Sequence, residues 1–164
     1  MFKERKPIKA SNDTPEHAFL FCARSIACKF QGERLIRRKL TERGYSPPII
    51  DEAIRRCYED RFLDDGRLAT IVAENMLSAG KGSGQLVRQK LKSLGVGEGD
   101  IEVALQQQSR VVDVIGALAD RMRVKFPDYP MVQDHKERQR INSYFLRRGY
   151  SFSQIRSALE NAFS

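Results

Sequence analysis

Gly80-Lys81-Gly82-Ser83 sets a lysine and a hydroxyl among glycines, just ahead of a stretch with helical apolar spacing. Such a loop could wrap a phosphate in backbone N–H groups. A phosphate-binding loop of the G-x-x-x-x-G-K-[ST] type needs a glycine five residues before the Gly-Lys pair and a hydroxyl directly after it. Here Asn75 holds the first position and Gly82 the second, so neither the turn nor the Mg²⁺ ligand can form. The preceding "RLATIVAENMLSAG" is also spaced as a helix, where the loop requires a strand. The glycines therefore read as the end of one helix, with Lys81 opening a basic face on the next.

The remaining reactive side chains form no set. Asp64-Asp65 could be an acid pair, but two acids at a helix start serve the free N–H groups and the positive end of the helix dipole. Ser25, Ser78, Ser83 and Ser93 have no histidine nearby in sequence. Asp113 and Asp120 read as a solvated face. Cys22, Cys28 and Cys57 make no C-x-x-C, and each is expected as a buried, reduced thiol. His17 and His135 lack ligand spacing. No catalytic residues, no metal and no cofactor are expected, so the chain should not be an enzyme. With no signal segment and no long apolar run, it is expected in the cytoplasm, off the membrane, as a monomer.

The elements that would carry any site are helices. Apolar residues recur at three- and four-residue spacing nearly throughout, and the spacing repeats at a larger scale. "LIRRKLTERGYSPPIIDEAI" from Leu35 aligns with "LVRQKLKSLGVGEGDIEVAL" from Leu86, at a constant offset of 51. A weaker copy, "RINSYFLRRGYSFSQIRSAL", begins at Arg140. Each copy reads as helix, tight turn, helix. Gly44, Gly95 and Gly149 stand where the first of the two helices must stop, as left-handed C-caps, and Asp64 is placed as an N-cap. Ser46 with Pro47, and Ser151, suit the next helix start, whereas "GVGEGD" offers only Gly97 or Asp100. A longer helix precedes each copy. The two prolines of "FPDYPMVQDH" should break the third unit between its first and second helices.

The expected architecture is all-α: a basic flexible tail at 1–13, then three-helix repeats at 14–60, 61–108 and 109–164. A unit of this size cannot bury its apolar stripe alone, so neighbours must stack. Stacking in a line predicts an elongated molecule.

Net charge is +8. Residues 1–60 and 109–164 each carry four more cations than anions, while 61–108 are balanced. The excess concentrates on the middle helices. The basic face expected to meet a partner comprises Arg34, Arg37, Arg38 and Arg43 in the first repeat. It continues with Lys81, Arg88 and Lys92 in the second and Arg138, Arg147 and Arg148 in the third. Such a stripe suits a phosphate backbone or an acidic groove, with weak, non-specific binding to single- and double-stranded DNA.

"RRKLTERGY", "FLDDGRLA" and "AGKGSGQLVRQKLKSLGV" followed by "IEVAL" resemble the RecX family of bacterial regulatory proteins, over roughly Phe19 to Phe163. The resemblance implies tandem three-helix repeats in an elongated, curved, right-handed arrangement. It implies the RecA recombinase filament as partner, with restraint of its growth and activity, and no enzymatic function. Two other readings stay open on the residues alone. One is a DNA-binding regulator akin to helix-turn-helix domains. The other is a helical repeat scaffold that binds an acidic protein surface.

Overall fold

The computed structural model describes residues 13–164. All of the expected tail except Asp13 lies outside the described residues. Among these there are nine α-helices and no strand. They are α1 (Pro15–Cys28), α2 (Glu33–Glu42), α3 (Pro47–Glu59), α4 (Asp65–Leu77), α5 (Gly84–Leu94), α6 (Glu98–Val111), α7 (Val114–Lys125), α8 (His135–Leu146) and α9 (Phe152–Phe163).

The repeat has a physical basis in one turn made three times. After α2, α5 and α8, Gly44, Gly95 and Gly149 take φ of 87°, 86° and 81°. The next residue's N–H then reaches back five residues: Tyr45 to the Leu40 carbonyl at 3.2 Å, Val96 to Leu91 at 3.1 Å, and Tyr150 to Phe145 at 3.4 Å. This closing bond satisfies a carbonyl the helix would leave orphaned, and it folds the following side chain back onto the helix. Tyr45, Val96 and Tyr150 are accordingly buried. So are the aligned apolar triplets Ile36, Val87 and Ile141, then Leu40, Leu91 and Phe145, then Ile50, Ile101 and Ile155. Small residues, Ala53, Ala104 and Ala158, fill the equivalent buried position on the third helix.

The chain divides into two compact units, one up to Ala69 together with Leu91–Ile101, the other Thr70–Lys90 with Glu102–Ser164. In the first, α1 packs on α3 around Ala18, Cys22, Ile36, Leu40, Ile54 and Cys57. In the second, α7 packs on α9 around Leu118, Met122, Ile141, Phe145 and Ile155. The prolines of the third copy act as expected: α7 stops at Lys125, a single 3₁₀ turn covers Tyr129–Met131, and Asp134 caps α8 through the Lys136 N–H. Ser151 opens α9 with a full capping box, its hydroxyl accepting from Gln154 N–H while the Gln154 side chain accepts from Ser151 N–H.

Three expectations need correction. Cys28 is exposed at the end of α1, because the helix face that buries Cys22 against Cys57 has turned away six residues later. Asp113 is more than a solvated acid; its carboxylate accepts from Ile115 and Gly116 N–H and starts α7. Lys81 precedes α5, which begins at Gly84, so it lies in the turn and not on the helix.

Candidate partner-binding surfaces

The suspected phosphate loop is a joint. Lys81 N–H bonds to the Met76 carbonyl, Gly80 has φ of 58°, and Ser83 leads into α5. Ser83 N–H donates to the Arg148 carbonyl at the C-terminal end of α8, at 3.0 Å. The first unit holds the same joint. Gly32 N–H, just ahead of α2, donates to the Leu94 carbonyl at 2.7 Å, and Arg34 N–H to the Gly95 carbonyl at 3.0 Å, at the C-terminal end of α5. In both units a helix start meets a helix end, so free N–H groups pair with free carbonyls and opposite dipole ends face each other.

Asp65 belongs to this joint, and the expectation that it caps its own helix is corrected. Asp64 does that, accepting from Arg67 N–H at 2.8 Å. Asp65 is only 5 % exposed and instead accepts from Glu33 N–H, at 3.1 and 3.2 Å, at the first residue of α2. Burial pushes its carboxyl up to about 6, against the pull of the Glu33 N–H; neighbouring Asp100 and Glu33 charges raise it further, and the Gly97 N–H opposes them. The native state therefore holds this proton more tightly than the unfolded chain. Stability from this group is full below about pH 4 and lost as pH rises through about 6. Asp65→Asn keeps a carbonyl oxygen for the N–H without the buried charge. Relative to wild type it should lose a pH-dependent penalty of about 2–3 kcal/mol. Urea melts of both proteins across that range check this, and parallel stability profiles would disprove it.

The ten basic-face residues separate into three groups. Arg37 is held by Glu33 and Asp51, each at 2.5 Å, and Arg88 by Glu102 at 2.5 Å. Arg37 and Arg88, like Asp51 and Glu102, are equivalents at the offset of 51, so this pair clips the middle helix to the third helix in both repeats. The third copy has Asn142 and Arg156 at those places and cannot make it. A second group lies on aromatic rings. The Arg43 guanidinium is 4.2 Å from the Phe21 centroid, Arg148 is 3.4 Å from Tyr144, and Arg138 is 5.5 Å from Tyr129. Arg34, Arg38, Lys81, Lys92 and Arg147 present their side chains to solvent.

Three of these exposed cations meet in one place. Arg34 and Arg38 of α2 and Lys92 of α5 line a cleft of about 330 Å³ at the first joint, with Leu35, Gly95 and Glu98. Lys92 pairs with Glu98 at 2.9 Å and Arg38 with Glu42 at 3.6 Å, both exposed and therefore weak. Arg43 is not on this surface; it faces a second cleft with Arg24, Lys29 and Lys39, cations outside the expected basic face. Their convergence requires the α1–α2 packing, which spacing along either helix does not reveal. Among the described residues no cluster could hold a metal ion, and no helix is long and apolar enough to cross a membrane.

Three-helix repeats, with a helix start seated on a helix end in each unit, define an all-α helical-repeat protein, whose basic clefts described above lie in the first unit. The chain belongs to the RecX family of regulatory proteins and is not an enzyme. It is 32% identical to the regulatory protein RecX of Vibrio parahaemolyticus over 124 residues, 76% of this chain and 77% of the relative. The RecX of Haemophilus influenzae is 29% identical over 134 residues, covering 81% and 86%. Residues 118–159 match the family profile of the RecX third three-helix domain. The fold is that of the crystal structure of RecX from Lactobacillus salivarius, with a TM-score of 0.68 at 15% identity over 93% of this chain and 97% of that one.

Proposed function

We propose that this chain binds the RecA recombinase filament and restrains its extension, ATPase and strand exchange, acting in the cytoplasm as a monomer. Membership of the RecX family carries this reading. The surface chemistry supports it. Three repeats, at 14–60, 61–108 and 109–164, offer separate contacts on one covalent chain, so each can be modest while linkage raises the effective concentration of the others. The exposed cations Arg34, Arg38, Lys81, Lys92 and Arg147 suit weak, sequence-independent contact with single- or double-stranded DNA beside the filament. A filament presents several adjacent subunits, so the chain should prefer it to free RecA.

Filament growth adds subunits at ends, so a few bound inhibitors can stop many. The expected result is inhibition of RecA's DNA-dependent ATPase at inhibitor amounts well below RecA, with slower filament growth by light scattering. If RecA is unaffected at equal concentrations, the reading fails.

A further inference from the structure

The first two repeats tie their middle and third helices together with the same ion pair, Arg37 with Asp51 and Arg88 with Glu102. In the third repeat Asn142 replaces the arginine and Arg156 replaces the acid. Both now stand on the wall of an open cleft of about 540 Å³ along α8 and α9. Asn142 also borders a second cleft, of about 410 Å³, with His135, Arg138 and Gln139.

Phe152 lines both clefts and so forms the ridge between them. It is 71 % exposed, at the first residue of α9. The other aromatic residues of this unit are engaged. Phe126, Tyr144 and Phe145 meet edge to face, Tyr129 stacks on Phe163, and Tyr150 is buried. Nor does the repeat require an aromatic at this place. The equivalents of Phe152 are Pro47 and Glu98, and α9 starts on the Ser151 capping box. A lone exposed ring is ordinary on a surface. One set between two clefts, where an arginine has taken the place of an acid, is positioned for a ligand.

The chemistry around the ridge identifies that ligand. From Tyr129 to Glu160, six lysines and arginines stand against three acids. Arg138 is held in place: its Nε donates to the Val132 carbonyl at 2.6 Å, and its guanidinium lies 5.5 Å from the Tyr129 ring centroid. Its terminal N–H groups can then meet a phosphate. Arg156 pairs with Glu160 at 3.6 Å, in water, so a phosphate can draw it away at little cost. A bare ring with an arginine in the cleft on each side suits a single strand, with a base on the ring and phosphates on the cations. A duplex keeps its bases stacked on one another and offers the ring nothing.

We propose that Phe152 is a base-stacking platform for single-stranded nucleic acid, with Arg138 and Arg156 taking the flanking phosphates. This rests on the DNA contact in the filament reading and deepens it, because the third repeat then tells single strand from duplex. No recombinase is needed for the binding, so failure of the platform leaves inhibition of RecA standing, and the reverse.

The test uses the full chain, with a short fluorescent oligothymidine and a duplex of the same length, followed by anisotropy. Tighter binding of the single strand is expected. Phe152→Ala should weaken that binding about tenfold and leave the duplex unaltered. It should also keep the dependence of log affinity on log salt, since stacking releases no counterion. Asn142→Arg with Arg156→Glu rebuilds the ion pair of the other repeats and lowers the charge by one. It should weaken the single strand more than Arg110→Ala, which removes the same charge outside both clefts. The chain holds no tryptophan, so Phe152→Trp puts a single emitter on the ridge, and its fluorescence should be quenched as the oligothymidine binds. Phe30→Trp, at a position 68 % exposed in the first unit, should keep its emission. Circular dichroism verifies each fold. The platform is disproved if Phe152→Ala binds the single strand like wild type, or loses single strand and duplex equally. Binding to Phe152→Trp without quenching, or equal quenching of Phe30→Trp, would also overturn it. So would loss of ATPase inhibition in Phe152→Ala with oligothymidine binding unaltered, which would make the ridge a protein contact.

Discussion

Gly95→Ala is expected to cost about 2–4 kcal/mol and Gly44→Ala only about 1 kcal/mol, although the two glycines are equivalents with φ of 86° and 87°. The shared part is the left-handed backbone, which disfavours any side chain by roughly 1 kcal/mol. The difference is the joint. A Cβ on Gly44 would meet nothing within 4 Å. A Cβ on Gly95 would stand 2.5 Å from the Cβ of Leu35 and 3.0 Å from its Cα, so α2 would have to back away. That movement would stretch the Gly32 and Arg34 N–H bonds to the Leu94 and Gly95 carbonyls and loosen Asp65 from the Glu33 N–H. Gly32 is equally closed, with a Cβ falling 2.8 Å from the Gly95 carbonyl carbon and the Val96 nitrogen. Urea denaturation of the two variants measures the contrast. Equal losses would mean that the joint contributes nothing beyond the glycine conformation.

The glycines show how far the sequence could be read. Their spacing from a buried apolar residue four positions before and another six after recurs because the turn itself demands it, so helix ends and core positions were visible from residue types. The joint was not. Gly32 and Ser83 are unlike in type and carry no shared pattern, yet each donates its backbone N–H to the carbonyl before the next repeat's glycine. A bond made by the backbone leaves little mark on side-chain identity. Asp65 misled for a related reason: its neighbour Asp64 is the better local cap, which freed Asp65 to serve a helix start 32 residues earlier. The repeat also hid a division of labour among the arginines. Arg37 and Arg88 match in alignment because each clips two helices of one unit, whereas Arg34 and Arg38 align with Gln85 and Gln89 and need not be structural. Recurrence in a repeat marks what holds the repeat together.

That division predicts which cations matter for binding. Arg34→Ala, Arg38→Ala and Lys92→Ala together should weaken DNA binding for all sequences alike. They should also flatten the dependence of log affinity on log salt by about 2–3, because each phosphate left without its cation keeps its counterion. The same protein should inhibit the RecA ATPase poorly while melting close to wild type, since its three side chains are exposed and their ion pairs, Arg38 with Glu42 and Lys92 with Glu98, lie in water. Arg37→Ala should do the opposite. It frees Glu33 and Asp51 from a partly exposed clip, costing about 0.5–1 kcal/mol of stability, and leaves the salt dependence nearly intact. Point variants are a sharper probe here than removal of the third repeat from Arg110. That truncation would strip α7 and α8, against which Gly80 and Ser83 pack, and a loss of inhibition could then reflect a loss of folding. Denaturation, fluorescence-monitored DNA binding at several salt concentrations and the ATPase assay together separate the two groups. If Arg37→Ala abolished binding while the triple variant inhibited like wild type, the assignment of structural and binding arginines would be reversed.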